Sequence, residues 1–499
     1  MSRTSYESPS HRPVAAILSH IPAVLASAAI LAALHPGCCP KQEPKPDGRK
    51  AESVDRACPE RGKVTELLPS VTKAHLKASY WIERLQGLAD PDQVLLSIEE
   101  IDRYNAALEE RPNRADFSRQ RLTGPVDTAQ LELELKRRLD YLRELIASGR
   151  YLDRLGERLS GERSAAFKAD LPSLLRELRP RLQVALGDIQ IRCGPFDGAL
   201  YKPDVDLTYD RNACSRIRPQ ELVQVLRDWP NGMLLLRTAY ALGWASADVP
   251  LSPPVPAGLA KPLLTGERLR ATSEARLEVE DNTPFVLARH LTVPLADGGE
   301  KVLLASTTGV HLAVPIEVME TTRRPLTRRA LLQTAFEYLD EPFGWGGTRG
   351  GRDCSRFVLD LFATFGIVMP RHSGWQARTG SYVVEVKGSD TESERLRLLD
   401  EAIRCGVVLL HFPGHIMLYL GRDRKGVPMV LHSLGEYVKT CPGGAGETLF
   451  LVQRITVTGL DLGRGSSRRS FVERLTRIVV LGKKPQGPKA FTDRLQRTM

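Results

Sequence analysis

Residues 343–366 read FGWGGTRGGRDCSRFVLDLFATFG, and their glycines dictate what can follow. Small residues crowd Gly344 to Gly351, so no regular element can run through that stretch. Asp353 comes next, with a side chain able to accept the free N–H groups of a first helical turn. Phe357, Val358, Leu361, Phe362 and Phe365 then recur at helical spacing, and Gly366 suits a left-handed stop. The spacing predicts a buried helix with Cys354 in its first turn. Free N–H groups and the positive end of the helix dipole there favour thiolate over thiol. A cysteine can equally be a small buried hydrophobe. Its position at a Gly-rich loop-to-helix junction argues for a nucleophile.

A nucleophilic cysteine needs a base. VVLLHFPGHIMLYLG (407–421) reads as a strand, a Pro-Gly break and a second strand beginning at His415. GVPMVLHS (426–433) reads as a third strand, joined to the second by the polar turn Arg422-Asp423-Arg424-Lys425. Pairing those two strands as a hairpin sets His415 opposite residues 432–433, to within one or two positions of register. His415 and His432 then become neighbours on one sheet face. A cysteine beside an imidazole, itself oriented by another polar group, is the logic of an activated nucleophile.

Taken in order, GWGG, RDCSRF, PRHSGWQA (370–377), HFPGHIMLYLG (411–421) and LHS (431–433) resemble the NlpC-type cell-wall cysteine peptidases. The resemblance implies an α+β multidomain protein with a circularly permuted papain-like domain. It implies hydrolysis of the γ-D-glutamyl–diamino-acid bond of peptidoglycan stem peptides, with no cofactor. Carried over position by position, Cys354 is the nucleophile, His415 the general base and His432 the residue that orients it. Asp353 and Ser355 match residues that hold the free amine and backbone of the substrate's N-terminal L-alanine, and Trp345 joins them as a substrate-binding candidate. Arg371, after Pro370, is a candidate for a substrate carboxylate. Two positions depart from the family pattern. Arg356 stands where many members have glycine, a change a helix should tolerate. Phe343 stands where a tyrosine hydroxyl often lines the site, which leaves open what assists the Cys354 N–H in stabilising an oxyanion.

A chain of 499 residues suggests three or four domains. Residues 1–38, polar and then apolar up to HPGCCP, read as an export segment with a possible lipid anchor at Cys38. Residues 39–63 read as a charged tether, and 64–183 as a helical stabilising domain with Leu131, Leu135, Leu139 and Leu142 at helical spacing. Short β-like runs then suggest two bacterial Src-homology-type barrels, 184–252 and 256–322, with Tyr240 and Trp244 as core or wall-contacting aromatics. The catalytic domain is placed at 323–485, opened by a helix bearing Leu331, Leu332, Ala335, Phe336 and Leu339 and ended by Pro342. Residues 486–499 read as a basic tail without structure.

The formal net charge of +10 suits an anionic wall or membrane surface, and no nucleic-acid motif accompanies it. His411 and His415 have the spacing of a helical zinc pair, but the Glu is missing and Pro413-Gly414 interrupts, so no metal is expected. Among eight cysteines, Cys193 with Cys214 and Cys405 with Cys441 could form bridges. Two other readings remain: a wall-binding protein without activity, and an amidase or acyltransferase on the same fold. The sequence does not fix the oligomeric state.

Overall fold

The computed structural model describes residues 59–109, 122–159, 170–483 and 491–497, apart from positions 60, 63, 65, 123, 204–205, 280–283, 297, 445 and 492. The chain divides into residues 1–56 and a compact unit from Ala57 onward. The expected export segment, Cys38 and most of the 39–63 tether lie outside the described residues.

The second unit opens with a short strand, β1 (Arg61–Gly62), followed by helices α1 (Ala78–Gln86) and α2 (Ile98–Glu109). Trp81, Ile82 and Leu85 of α1 and Ile101, Tyr104 and Leu108 of α2 are buried in the same core as the C-terminal sheet. Helix α3 (Thr128–Ala147) is capped by the Asp127 carboxylate, which accepts from the Gln130 N–H. Its buried leucines 131, 135, 139 and 142 pack instead with Leu226, Trp229 and Trp244. The helices of 64–183 therefore serve two cores rather than sharing one.

After α4 (Leu171–Arg176) come strands β2 (Arg181–Val184), β3 (Ile189–Arg192), β4 (Ala213–Ile217), β5 (Leu222–Asp228), β6 (Met233–Arg237) and β7 (Leu242–Ser246). They form an antiparallel sheet of order β2-β5-β6-β7-β3-β4. A Cys193–Cys214 disulfide joins the end of β3 to β4. Trp244 is fully buried, edge-on to Trp229, and Tyr240 is bonded to Glu221 and Arg216, so neither aromatic is a free surface. Helix α5 (Ala257–Thr265) leads to short strands β8 (Arg268–Ala271), β9 (Ala275–Glu278), β10 (Pro284–Leu287), β11 (Thr292–Pro294), β12 (Val302–Ala305), β13 (Val310–Ala313) and β14 (Met319–Thr321). They make three small antiparallel sheets around a separate apolar core.

The C-terminal part begins with α6 (Arg328–Phe336), capped by Thr327. The helix stops at Phe336, well before Pro342, and Leu339 lies in the turn that follows. Helix α7 (Cys354–Ala363), the short α8 (Ser373–Gln376), β15 (Tyr382–Glu385) and α9 (Glu392–Cys405) come next. Strands β16 (Gly406–Phe412), β17 (His415–Arg422), β18 (Pro428–Thr440) and β19 (Glu447–Gly459) are consecutive antiparallel neighbours. Helix α10 (Phe471–Arg474) and strands β20 (Arg477–Gly482) and β21 (Leu495–Arg497) complete the chain. Among the described residues the sheet runs β1-β19-β18-β17-β16-β20-β15-β21, with α7 packed on β17 and β18.

Three expectations change here. Residues 495–497 of the supposed basic tail pair with β15, because buried Phe491 anchors the segment and Leu495 packs on the core. Arg61–Gly62 of the supposed tether pairs in parallel with β19. Cys441 is disulfide-bonded and Cys405, at the end of α9, is not, so these two do not bridge each other.

Candidate active site

The Gly-rich loop is shaped by its own hydrogen bonds, from the Gly347 N–H to the Gly344 carbonyl and from the Gly351 N–H to the Thr348 carbonyl, and by close contact with β4. Gly346 and Gly347 have φ of 58° and 84°, and a Cβ on Gly346 would come within 2.2 Å of the Ala213 carbonyl on β4. Only glycine permits both the conformation and the approach. The loop so docked delivers Asp353 to the start of α7, where its Oδ1 accepts the Arg356 N–H at 2.8 Å. Cys354 follows as the first helical residue, 8% exposed.

Across from it, β17 and β18 pair with Leu418 opposite Leu431, which carries His432 to a position facing Met417, on the same face as His415. The His415 Nε2 stands 2.6 Å from His432 Nδ1, and the His432 Nε2 stands 3.0 Å from Thr458 Oγ1 on β19. His432 and Thr458 are fully buried, and Phe471 packs against both imidazoles. Cys354 and His415 line one cavity of about 530 Å³, together with Trp345, Tyr209, Phe412 and Phe471. The Ile416 N–H, next to His415, points at the Cys354 sulfur.

The electrostatics reverse one expectation. The Cys354 thiol is pushed up to about 12, first by burial and then by the Asp353 carboxylate. These outweigh the Ile416 and Ser355 N–H groups and the Arg371 guanidinium, which favour thiolate. Burial also pushes His415 down to about 3, helped by Arg474 and His411. His432 is lowered too, by burial and by His415. Burial thus favours neutral thiol and neutral imidazole over the separate ions, outweighing the donors at the helix terminus.

Asp353, Ser355 and Arg371 converge, but on one another. Arg371 donates to Asp353 Oδ1 at 2.9 Å and to Oδ2 at 2.6 Å, to Ser355 Oγ at 2.8 Å, and from Nε to Ser215 Oγ at 2.9 Å. The Gly346 N–H and the Ser355 hydroxyl also donate to Asp353. Burial alone would raise the Asp353 carboxyl, yet Arg371 and these donors hold it below its usual range. The guanidinium that the sequence offered to a substrate carboxylate is thus held by Asp353, and the Ser355 hydroxyl is committed to the same cluster. Trp345 forms cavity wall, edge-on to Tyr209, with the Arg211 guanidinium 4.4 Å above its ring.

Arg356 is more than tolerated. It is 3% exposed and donates to Asp360, the Arg216 carbonyl, the Tyr240 hydroxyl and Glu221, tying α7 to the six-stranded sheet. His411 bonds Thr476 and lies on β16, whereas His415 opens β17, so the pair is not a helical one. Sequence reasoning missed Ser215 on the six-stranded sheet, Thr458 on β19 and the Ile416 amide next to His415 on β17. Gln376 carried a signal, since PRHSGWQA was recognised as a motif. Its buried amide donates to the Ser355 and Pro370 carbonyls and pins the first turn of α7.

Residues 340–442 match the NlpC/P60 family. Two curated relatives are the gamma-D-glutamyl-L-lysine dipeptidyl-peptidases of Bacillus subtilis (strain 168) and Bacillus cereus (strain ATCC 10987 / NRS 248). The first is 33% identical over 24% of this chain and 35% of its own length, the second 32% identical over 21% and 31%. The chain thus matches about a third of the length of these relatives. A solved structure of an NlpC/P60 endopeptidase from Photobacterium damselae subsp. piscicida superposes with a TM-score of 0.60, at 17% identity, over 80% of this chain and 96% of that one, a likeness of fold. The C-terminal domain of this chain belongs to the NlpC/P60 family of cysteine peptidases.

Proposed function

We propose that this protein is a cysteine endopeptidase that hydrolyses the bond between γ-D-glutamate and diaminopimelate in peptidoglycan stem peptides. The observation that carries the reading is a linear array: Cys354 at the N-terminus of α7 and His415 line one cavity, and His432 and Thr458 continue the chain from His415 into the buried interior. His415 uses Nε2 toward His432, which leaves Nδ1 for the thiol. As the sulfur attacks the γ-glutamyl carbonyl, its proton moves to that nitrogen. The Nε2–H of His415 then points at His432 Nδ1, and the Nε2–H of His432 at the Thr458 hydroxyl, so each ring is held in the tautomer the step requires.

The transfer creates a thiolate and an imidazolium side by side without changing the net charge of the cavity. Their mutual attraction, ~4 kcal/mol at an effective dielectric near 20, offsets part of the cost that burial imposes on either alone. The imidazolium then protonates the leaving amine, and water, deprotonated by His415, releases the acyl group. The Cys354 N–H serves the oxyanion. Phe343 adds no hydroxyl, but Tyr209 packs edge-on against it and its hydroxyl lies against Gly435 in the same cavity, available as a second donor.

The name of the Bacillus relatives supports the γ-glutamyl side of the bond, and diaminopimelate rather than lysine is part of the proposal. We read the two β-rich units as wall-facing modules, residues 1–38 as an export segment and Cys38 as a lipid attachment site. Mass spectrometry of L-Ala-γ-D-Glu-diaminopimelate incubated with the protein tests the function, beside Cys354→Ala and an amine-blocked peptide. Free diaminopimelate from the parent alone is the expected result. No release from any stem peptide or intact wall would refute it.

A further inference from the structure

Arg474 closes the short helix α10, and its backbone is fixed from both sides. The buried Arg395 guanidinium donates to the carbonyls of Val472, Glu473 and Leu475, and the Ser470 hydroxyl accepts the Glu473 N–H. Its side chain leans into the catalytic cavity and stacks on Phe412, with the guanidinium carbon 3.9 Å from the ring centre. Phe412 in turn lies 5.4 Å, centre to centre, from the His415 ring. Among the described residues no carboxylate or carbonyl takes the Arg474 guanidinium. The other cavity arginine on that segment, Arg468, is paired with Glu436 at 2.6 Å. Arg474 is thus a half-buried cation with a planar, bidentate donor edge, flanked by cations, and with its face already used. Such a group is completed by a carboxylate.

Its place beside His415 says which part of a substrate it meets. The imidazole must protonate the departing nitrogen, so the residue that leaves lies over His415 and next to Phe412. We propose that Arg474 is a specificity-determining residue that binds a carboxylate of the leaving diamino acid. The inference rests on the hydrolytic reading given above. Two carboxylates could fill the role: the one on the side chain of diaminopimelate, which lysine lacks, or the α-carboxylate that both carry.

Three peptides separate them: L-Ala-γ-D-Glu joined to meso-diaminopimelate, to L-lysine and to L-lysine amide. kcat/KM is measured for the parent, Arg474→Gln and Arg474→Lys, with melting temperature and Cys354 thiol titration as checks on folding. A side-chain carboxylate predicts that Arg474→Gln loses about 100-fold on diaminopimelate and only a few-fold on either lysine peptide, with partial recovery in Arg474→Lys. An α-carboxylate predicts similar losses on both free acids, with the amide already poor for the parent. Either pattern supports the proposal. Unchanged kcat/KM in Arg474→Gln, or an equal loss on all three peptides, would overturn it while leaving the hydrolytic function intact. A parent that cleaves none of the three refutes the hydrolytic reading, and this assignment falls with it.

Discussion

At the scale of single residues, the proposed mechanism depends on neutral groups kept in fixed tautomers. Thr458 ends the chain of rings, and Thr458→Val leaves the His432 N–H buried without an acceptor. We expect kcat to fall about 10-fold with KM little changed, since an unsatisfied buried donor costs about 1–3 kcal/mol; steady-state kinetics on the diaminopimelate peptide would read it. The low basicity of His415, near 3, and of His411, near 4, also fixes how pH acts. Both sit below the value of about 6.5 that applies in the unfolded chain. Their folded forms bind fewer protons, so their contribution to stability is full above about pH 6.5 and drains as the pH falls toward their folded values. Melting temperature is therefore expected to decline from pH 7 to pH 5, with no kcat/KM inflection near 6.5 while the protein stays folded. An inflection there in intact protein would show that His415 is exposed and basic, contrary to the geometry.

At the scale of elements, α7 and β4 act together. Strand β4 supplies Ser215 to Arg371, and Arg371 clamps the residue before the nucleophile. The disulfide at Cys214 lies one residue from that contact. Replacing both cysteines, Cys193→Ala with Cys214→Ala, frees a loop with a sequence separation of 21 and should cost about 3 kcal/mol. Thermal melts of the double variant would register it without disturbing the Cys441 disulfide. Elements also mark what could be read beforehand. Cys354, His415 and His432 were legible because a helix cap, a Pro-Gly break and a hairpin turn are local signals. Thr458 and Ser215 were not, because their placement follows from long-range strand pairing and from the docking of the six-stranded sheet, which no nearby residue encodes. The thiolate expectation failed for a related reason: the dipole is local, but the burial that outweighs it comes from the whole fold. Strand β21 escaped notice because Leu-Gln-Arg, three residues between Arg494 and Thr498, is too short to carry a periodicity.

For the whole molecule, the docking of the six-stranded sheet on the catalytic domain runs through Arg356. Its guanidinium reaches Glu221, Tyr240 and the Arg216 carbonyl on one side and Asp360 on the other. Arg356→Gly, which places there the residue common in the resembling family, takes one guanidinium from buried Asp360, which keeps Arg352 and Arg218, and removes the donor to the Tyr240 hydroxyl and part-buried Glu221; it is expected to cost about 1–3 kcal/mol. Limited proteolysis should then cut between residues 246 and 328 in the variant before the parent is cut, with Cys354 still titratable in the released C-terminal part. Equal digestion of both proteins would place the strength of the docking elsewhere.

The catalytic sheet is bordered on one side by residues 61–62 and on the other by residues 495–497. A ribosome that has made the nucleophile and both imidazoles has not yet made the strand that closes the far border. The three candidate catalytic side chains are therefore translated before β19, β20 and β21, and the sheet that positions them closes only afterwards.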